Sequence, residues 1–284
     1  MSQNKILLTT KDHLITKEKF SLEIDNEYDM LVTIPQPKKT EKYYQTTNYI
    51  SHSDTAKNLF EKVYQIIKKH TLRKKTKLIN QFSNNGKSLL DIGCGTGEFL
   101  AMAKNDHWST FGVEPNLKAR EKATLKNINV VAALDNIGNL KFNIISLWHV
   151  LEHLPDLQNQ IKKITELLTE EGTLIIAVPN FKSNDAKHYK ENWAAYDTPR
   201  HLWHFSQQAI SRLFKEHQFR VIQTLPMKFD SYYVSLLSEK YKNGKQNYIK
   251  AFYQGWLSNY KAKSTSEYSS LIYVLKREQK ANKA

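Results

Sequence analysis

Between residues 88 and 178 short apolar runs alternate with helical stretches, and the first run empties into three glycines. Leu89-Leu90-Asp91-Ile92-Gly93-Cys94-Gly95-Thr96-Gly97-Glu98-Phe99-Leu100 reads as a buried strand, a tight turn and an immediate helix start. Strands are predicted at 88–92, 109–113, 128–132, 142–147 and 173–178, with helices near 98–105, 116–125 and 157–168. Alternation of this kind builds βαβ units, and therefore a parallel sheet with right-handed crossovers. A helix at 207–217 and a strand at 219–224 extend the pattern.

Glycines in such a turn allow positive φ and let a ligand approach bare backbone. A dinucleotide fold wants G-x-G-x-x-G, which would place its third glycine at position 98. Glu98 stands there instead, and a carboxylate in the first helical turn opposes a pyrophosphate. No Gly-Lys-Ser or Gly-Lys-Thr follows, so a phosphate-cradling P-loop is excluded as well. The spacing suits a nucleoside without phosphates. A second anchor lies 21 residues beyond Gly93, where Phe111-Gly112-Val113-Glu114 ends the next strand on an acid. An acid about 20 residues after the first glycine accepts hydrogen bonds from ribose hydroxyls in Rossmann-like folds.

These residues resemble the first two motifs of class I S-adenosylmethionine-dependent methyltransferases. The resemblance covers residues 85–225 and implies a Rossmann-like seven-stranded α/β methyltransferase sheet with helices on both faces. It further implies S-adenosyl-L-methionine as cofactor, with Gly93, Cys94, Gly95 and Gly97 forming the turn, Glu114 and Pro115 at the ribose, and Asp91 at the amino-acid end. Asp135 is the nearest acid for the adenine, although a plain turn aspartate fits that loop equally well. Asn143-Ile144-Ile145-Ser146-Leu147-Trp148-His149-Val150-Leu151-Glu152-His153 resembles the fourth-strand segment of a subgroup that includes ubiquinone-pathway O-methyltransferases. In that subgroup Leu147 and Trp148 lie beside the methionyl part, and the Trp148 ring would favour a sulfonium by cation–π attraction. His149 is a candidate pocket base. Glu152 and His153 are expected to fix the start of the following helix.

Pro199-Arg200-His201-Leu202-Trp203-His204-Phe205-Ser206 resembles a signature of bacterial small-molecule methyltransferases of this subgroup. His201 is the first candidate for a base or acceptor-orienting group and His204 the second. Arg200 is expected to clamp an acidic substrate group, with Tyr196 and Tyr49 as further substrate contacts. The alternative is that Trp203, His204 and Phe205 pack beneath the next helix, with Ser206 as its N-cap. Tyr43-Tyr44 and Tyr49-Ile50-Ser51-His52 read either as a lid or as aromatic packing.

The acceptor is expected to be a small molecule methylated at oxygen. Base-amine methyltransferases carry Asn-Pro-Pro-Tyr or Asp-Pro-Pro-Tyr where this chain has Leu147-Trp148-His149-Val150. Carbon-5 pyrimidine methylation needs a nucleophilic cysteine, and the single Cys94 is committed to the turn. A net charge of +14 raises nucleic acid as a partner, but six arginines stand against 36 lysines, which favours a solvated surface. An RNA methyltransferase using the basic run 68–77 is thus the rival enzyme, and a cofactor-binding protein without turnover the rival outside enzymology. One cysteine allows no internal disulfide, and no apolar run approaches the roughly 18 residues of a membrane span. A cytoplasmic location without a secretory signal is expected. The paired cysteines of some relatives are absent from residues 12–35, so no metal is expected. At 284 residues the chain is read as an N-terminal extension, 1–54, and a methyltransferase domain, 55–284. Within the latter, 226–266 is a helical cap insertion and 268–276 the last strand, expected to enter the sheet antiparallel.

Overall fold

The computed structural model describes residues 5–39, 41–44, 59–83 and 86–278. Tyr49 and the rest of the segment 49–52 read as a lid or as aromatic packing lie outside them, as do Asp54, Asn84 and Asn85. The chain divides into two compact units. One comprises Met1–Thr47, His149–Gln158 and Ile176–Val274; the other comprises Asn48–Trp148, Asn159–Ile175 and Leu275–Ala284.

The main sheet has seven strands, β4 (Ser88–Ile92), β5 (Ser109–Val113), β6 (Asn129–Val131), β7 (Phe142–Trp148), β8 (Leu168–Pro179), β10 (Phe219–Pro226) and β11 (Ser270–Arg277), in the order β10-β11-β8-β7-β4-β5-β6. β4 runs parallel to β5 and β7, and β5 parallel to β6, so the expected parallel core is present. β11 takes its place between β10 and β8, inserted out of chain order. The strands read as continuous apolar runs: Leu89, Leu90, Ile144, Ile145 and Leu174 to Val178 are all buried, as in sheets covered on both faces. The order reverses between β4 and β7, which creates the topological switch point where open α/β sheets bind ligands.

The helices are α1 (Leu59–Asn80), α2 (Glu98–Asn105), α3 (Leu117–Thr124), α4 (Leu157–Glu166), α5 (Asn184–Tyr189), α6 (Gln207–Lys215), α7 (Asp230–Asn243) and α8 (Tyr248–Thr265). α1 is one helix of 22 residues. α6 begins as expected, with Ser206 accepting from the Ala209 amide at 3.0 Å. Ile210, Leu213 and Phe214 form its buried face at i, i+3 and i+4 spacing. α7 and α8 lie between β10 and β11 in the chain.

The N-terminal segment forms a second sheet. β1 (Ile6–Lys11), β2 (Lys19–Asp25) and β3 (Met30–Ile34) pair in sequence, and β3 then pairs with β9 (Trp203–His204). Leu14 and Ile15 lie in a turn between β1 and β2. There the Asp12 carboxylate accepts from the amides of Leu14, Ile15 and Thr16. The strand preceding them, β1, carries no alternation strong enough to announce itself.

Candidate active site

The glycine turn and its acid belong to the second unit. Gly93, Gly95 and Gly97 all have φ between 55° and 74°, the left-handed region that glycine enters without a Cβ clash. The amides of Gly93 and Cys94 both donate to the Val113 carbonyl, at 2.7 and 3.1 Å, which ties the turn to the end of β5. Glu114, the next residue, is buried, and its two carboxylate oxygens take the amides of Gly95 and Asn116, each at 2.9 Å. Asn116 in turn caps α3 through Ala119. One carboxylate thus fixes both the loop after β4 and the start of α3. At Gly112 a Cβ would come within 2.6 Å of the Cys94 sulfur, so the neighbouring strand has no room for a side chain. Burial pushes the Cys94 thiol upward, leaving it a neutral packing group.

Asp91 and Ser146 are register partners across β4 and β7, and the Ser146 hydroxyl donates to Asp91 at 2.6 Å. Burial pushes the Asp91 carboxyl up to about 7, against the opposing pull of the Lys75 ammonium and the Ser146 hydroxyl. Trp148 ends β7, packs edge-on to Phe99 at 5.8 Å, and carries the Lys75 ammonium over its ring at 4.3 Å. The cation against this ring is therefore a lysine, where the sequence anticipated only a sulfonium. Leu147 is fully buried in the core, which gives its side chain a packing role. Pro115 is exposed after Glu114, and its carbonyl accepts from Arg120 at 2.7 Å. Asp135 lies exposed and ion-paired to Lys163 at 2.6 Å, which gives it a partner other than an adenine.

These residues fit an adenosyl cofactor. A Cβ built on Gly95 would meet nothing within 4 Å, so the turn is open on that side. The Glu114 oxygens each use one amide and retain a lone pair for a hydroxyl. The buried Trp148 indole N–H has no hydrogen-bond partner among the described residues.

The polar residues of the first unit are arranged differently from the sequence reading. Arg200 is 2 % exposed and fully engaged. It donates to both oxygens of Asp197, to Asp12 at 3.0 Å and to the Tyr43 carbonyl at 3.0 Å. This corrects its assignment as a substrate clamp: all three guanidinium nitrogens are bound inside the fold. Tyr196 is likewise a core residue, packed edge-on against Trp193 and His204. His204 is buried, and burial together with the nearby His201 brings its pKa down to about 3. Thr33 donates its hydroxyl proton to the His201 carbonyl, so His204 Nε2 must donate to Thr33 at 2.9 Å. His204 is thus committed to Thr33 through Nε2, and its burial disfavours the protonated ring that a base has to become. Tyr43 is also locked down, donating to Glu18 at 2.7 Å.

His149 enters the left-handed region, φ 58°, where the chain leaves β7. Its ring lies between Asp230, 3.1 Å from Nε2, and Glu152, 3.4 Å from Nδ1. Burial lowers its pKa, but the two carboxylates outweigh that and push it up to about 10. At neutral pH it is an imidazolium, which corrects its assignment as a base. Glu152 sits in a single 3-10 turn, Leu151–His153, ahead of α4, which begins only at Leu157. It is 1 % exposed, and burial favours its neutral form; the His149, His201 and His153 rings prevail and hold it at about 2. His153 and His201 stand edge to face with ring centroids 4.5 Å apart. His201 has its Nδ1 held by the Ala195 carbonyl at 2.8 Å, and its Nε2 makes no hydrogen bond among the described residues.

The sheet order 10-11-8-7-4-5-6 with its glycine turn after β4 and acid after β5 defines an α/β methyltransferase fold. The family model described as a methyltransferase domain matches residues 64–224, more than half the chain, and the protein belongs to that family. Its curated relatives include the ubiquinone biosynthesis O-methyltransferase of Coxiella burnetii, 32% identical over 110 residues, covering 35% of this chain and 47% of the relative. The chain thus spans about half the length of the curated relatives it matches. Among solved structures, a methyltransferase from Archaeoglobus fulgidus aligns with TM-score 0.50 and 16% identity over 73% of this chain and 94% of that one. Magnesium protoporphyrin IX methyltransferase from Synechocystis aligns with TM-score 0.54 and 15% identity over 80% of this chain and 90% of that one. At these identities the solved structures speak for the fold alone. No helix among the described residues is long and apolar enough to cross a membrane.

Proposed function

We propose that this protein transfers a methyl group from S-adenosylmethionine to a hydroxyl oxygen of a small molecule. The observation that carries the reading is the lock between Glu114 and the open turn at Gly95: a carboxylate set for ribose hydroxyls beside backbone that leaves room for a nucleoside. When bound, the cofactor supplies a methyl carbon activated by a sulfonium. The chain's own part is to hold that donor at Glu114 and Asp91, exclude water, and manage the acceptor's proton. The oxygen acceptor is supported by the Coxiella relative, whose name is that of an O-methyltransferase. His201, with one ring nitrogen held and the other open, is assigned to the acceptor hydroxyl.

Asp91 gives the reading a pH signature. Its folded-state pKa, about 7, lies above the ordinary 3.8, so the stability it contributes is complete below pH 3.8 and lost as pH rises through 7. The ionised form that penalises the free protein is the form that accepts the ammonium of the cofactor's amino-acid end. Affinity for S-adenosylmethionine is therefore expected to rise by up to about tenfold between pH 6 and 8, the span over which a group of pKa 7 ionises. Calorimetry across that range checks it: Asp91→Asn should bind more weakly and show a flat profile. The acceptor class is tested with methyl-labelled cofactor and a metabolite extract, with and without ribonuclease. Label in an extractable, ribonuclease-resistant fraction that is stable to mild base as an ether supports the reading. Label that disappears with ribonuclease points to RNA instead.

A further inference from the structure

We propose that Glu152, His153 and His201 form a binding site for a divalent transition-metal cation of the zinc type. One ligand atom from each residue converges, all three lying within 4.8 Å of one another. The second observation is unused acceptor capacity: Glu152 is 1 % exposed, and neither carboxylate oxygen has a hydrogen-bond partner among the described residues. Its nearest cation, the His149 ring, stands 3.4 Å away on the Oε1 side, longer than a charge-assisted hydrogen bond. A buried carboxylate without donors costs several kcal/mol unless a cation satisfies it.

The histidines are oriented as metal ligands are. A carbonyl oxygen only accepts, so His201 Nδ1, 2.8 Å from the Ala195 carbonyl, carries the proton. His153 Nδ1 is protonated for the same reason, 3.0 Å from the Arg200 carbonyl. Both rings are thereby fixed in the tautomer that leaves the Nε2 lone pair available, the outer-sphere arrangement that accompanies ligating histidines. Asp197, 4.0 Å from His201 Nε2, is already held by Arg200 and remains outside the set. Two imidazole nitrogens and one carboxylate select zinc-like ions over magnesium or calcium, which take oxygen donors. A tetrahedral ion with bonds of about 2.0–2.2 Å brings its ligands to about 3.3 Å apart, so the side chains close by roughly 1 Å on binding. The fourth position is left for an oxygen, from water or from an acceptor hydroxyl whose proton the ion would acidify.

The sequence, lacking paired cysteines, led to the expectation of no metal, because its reading looked for sulfur ligands. The inference concerns the acceptor-side histidine of the proposed function and makes His201 a ligand there. Cation uptake is measured without cofactor or acceptor, so its failure is separable from failure of methyl transfer. The full-length protein, stripped with a chelator and dialysed, is titrated with Zn2+ by calorimetry, and in parallel with Co2+ while the visible spectrum is recorded. One equivalent of Zn2+ is expected, with the visible d–d absorption of four-coordinate Co2+. His153→Gln and His201→Gln should each weaken Zn2+ binding by about 100-fold, at least the loss seen when outer-sphere partners are removed. Far-UV circular dichroism establishes that each variant is folded, and the Co2+ spectrum of the unsubstituted protein serves if one is not. No uptake, or uptake undiminished in both folded variants, or Co2+ bound without that absorption, overturns the proposal.

Discussion

Glu114→Gln is expected to weaken S-adenosylmethionine binding by about 10- to 100-fold, consistent with roughly 1.5–3 kcal/mol for a hydrogen bond to a charged group. The carboxylate has two amide donors already, Gly95 and Asn116, each at 2.9 Å. An amide side chain offers one oxygen to those two donors and turns its NH2 toward the other. The glycine turn loses its tie, and a ribose hydroxyl loses a charged acceptor in the same stroke. Because Gln keeps the volume, the fold should persist, and the loss should be confined to binding. Calorimetric titration of cofactor into both proteins measures the ratio directly. Equal affinity would remove Glu114 from the site.

The second large effect is on stability. Arg200→Ala should destabilise the protein by about 3–5 kcal/mol, the range for removing one partner of a buried ion pair. Asp12 is 0 % exposed and Asp197 largely buried, so neither carboxylate can turn to water for the charge it has lost. The Tyr43 carbonyl loses its donor as well. Arg200→Lys should recover only part of the loss, since an ammonium cannot reproduce the fork that engages Asp197 through Nε and Nη2 while reaching Asp12. Urea unfolding followed by circular dichroism gives the figure. A substrate-clamping arginine predicts the opposite pattern, with unchanged stability and a raised KM.

The contrast between these two residues explains what the sequence could disclose. Gly93, Gly95, Gly97 and Glu114 act through a turn and two adjacent strand ends within 22 residues, so spacing along the chain carries their geometry. The strands β4 to β8 were legible for a related reason: each is a short apolar run bounded by turn residues. Arg200 and Asp12 are separated by 188 positions, and no local pattern joins them. Once Asp12 and Asp197 saturate the guanidinium, an arginine that looks like a clamp becomes a structural bolt. His204 and Tyr196 mislead in the same manner. Their residue types suit proton transfer and binding, but the pairing of β9 with β3 draws His204 into the N-terminal sheet. Tyr196 packs with Trp193, Leu22 and Leu31.

His149 and Glu152 mark the remaining gap. The sequence offered His149 as a pocket base and Glu152 at a helix start, whereas Asp230, 81 residues after His149, reverses the chemistry by holding His149 as a cation. Charge state follows the environment, and here the environment comes from α7. The exposed Asp135 shows the converse: a turn aspartate in the expected place, but paired to Lys163 of α4.

The most direct test of the account is calorimetric titration of the unsubstituted protein with S-adenosylhomocysteine, the demethylated cofactor, which binds without turnover. Saturable binding of one equivalent, lost or much weakened in Glu114→Gln, is the predicted outcome. A well-folded sample that gives neither heat nor a thermal shift at millimolar nucleoside would contradict it.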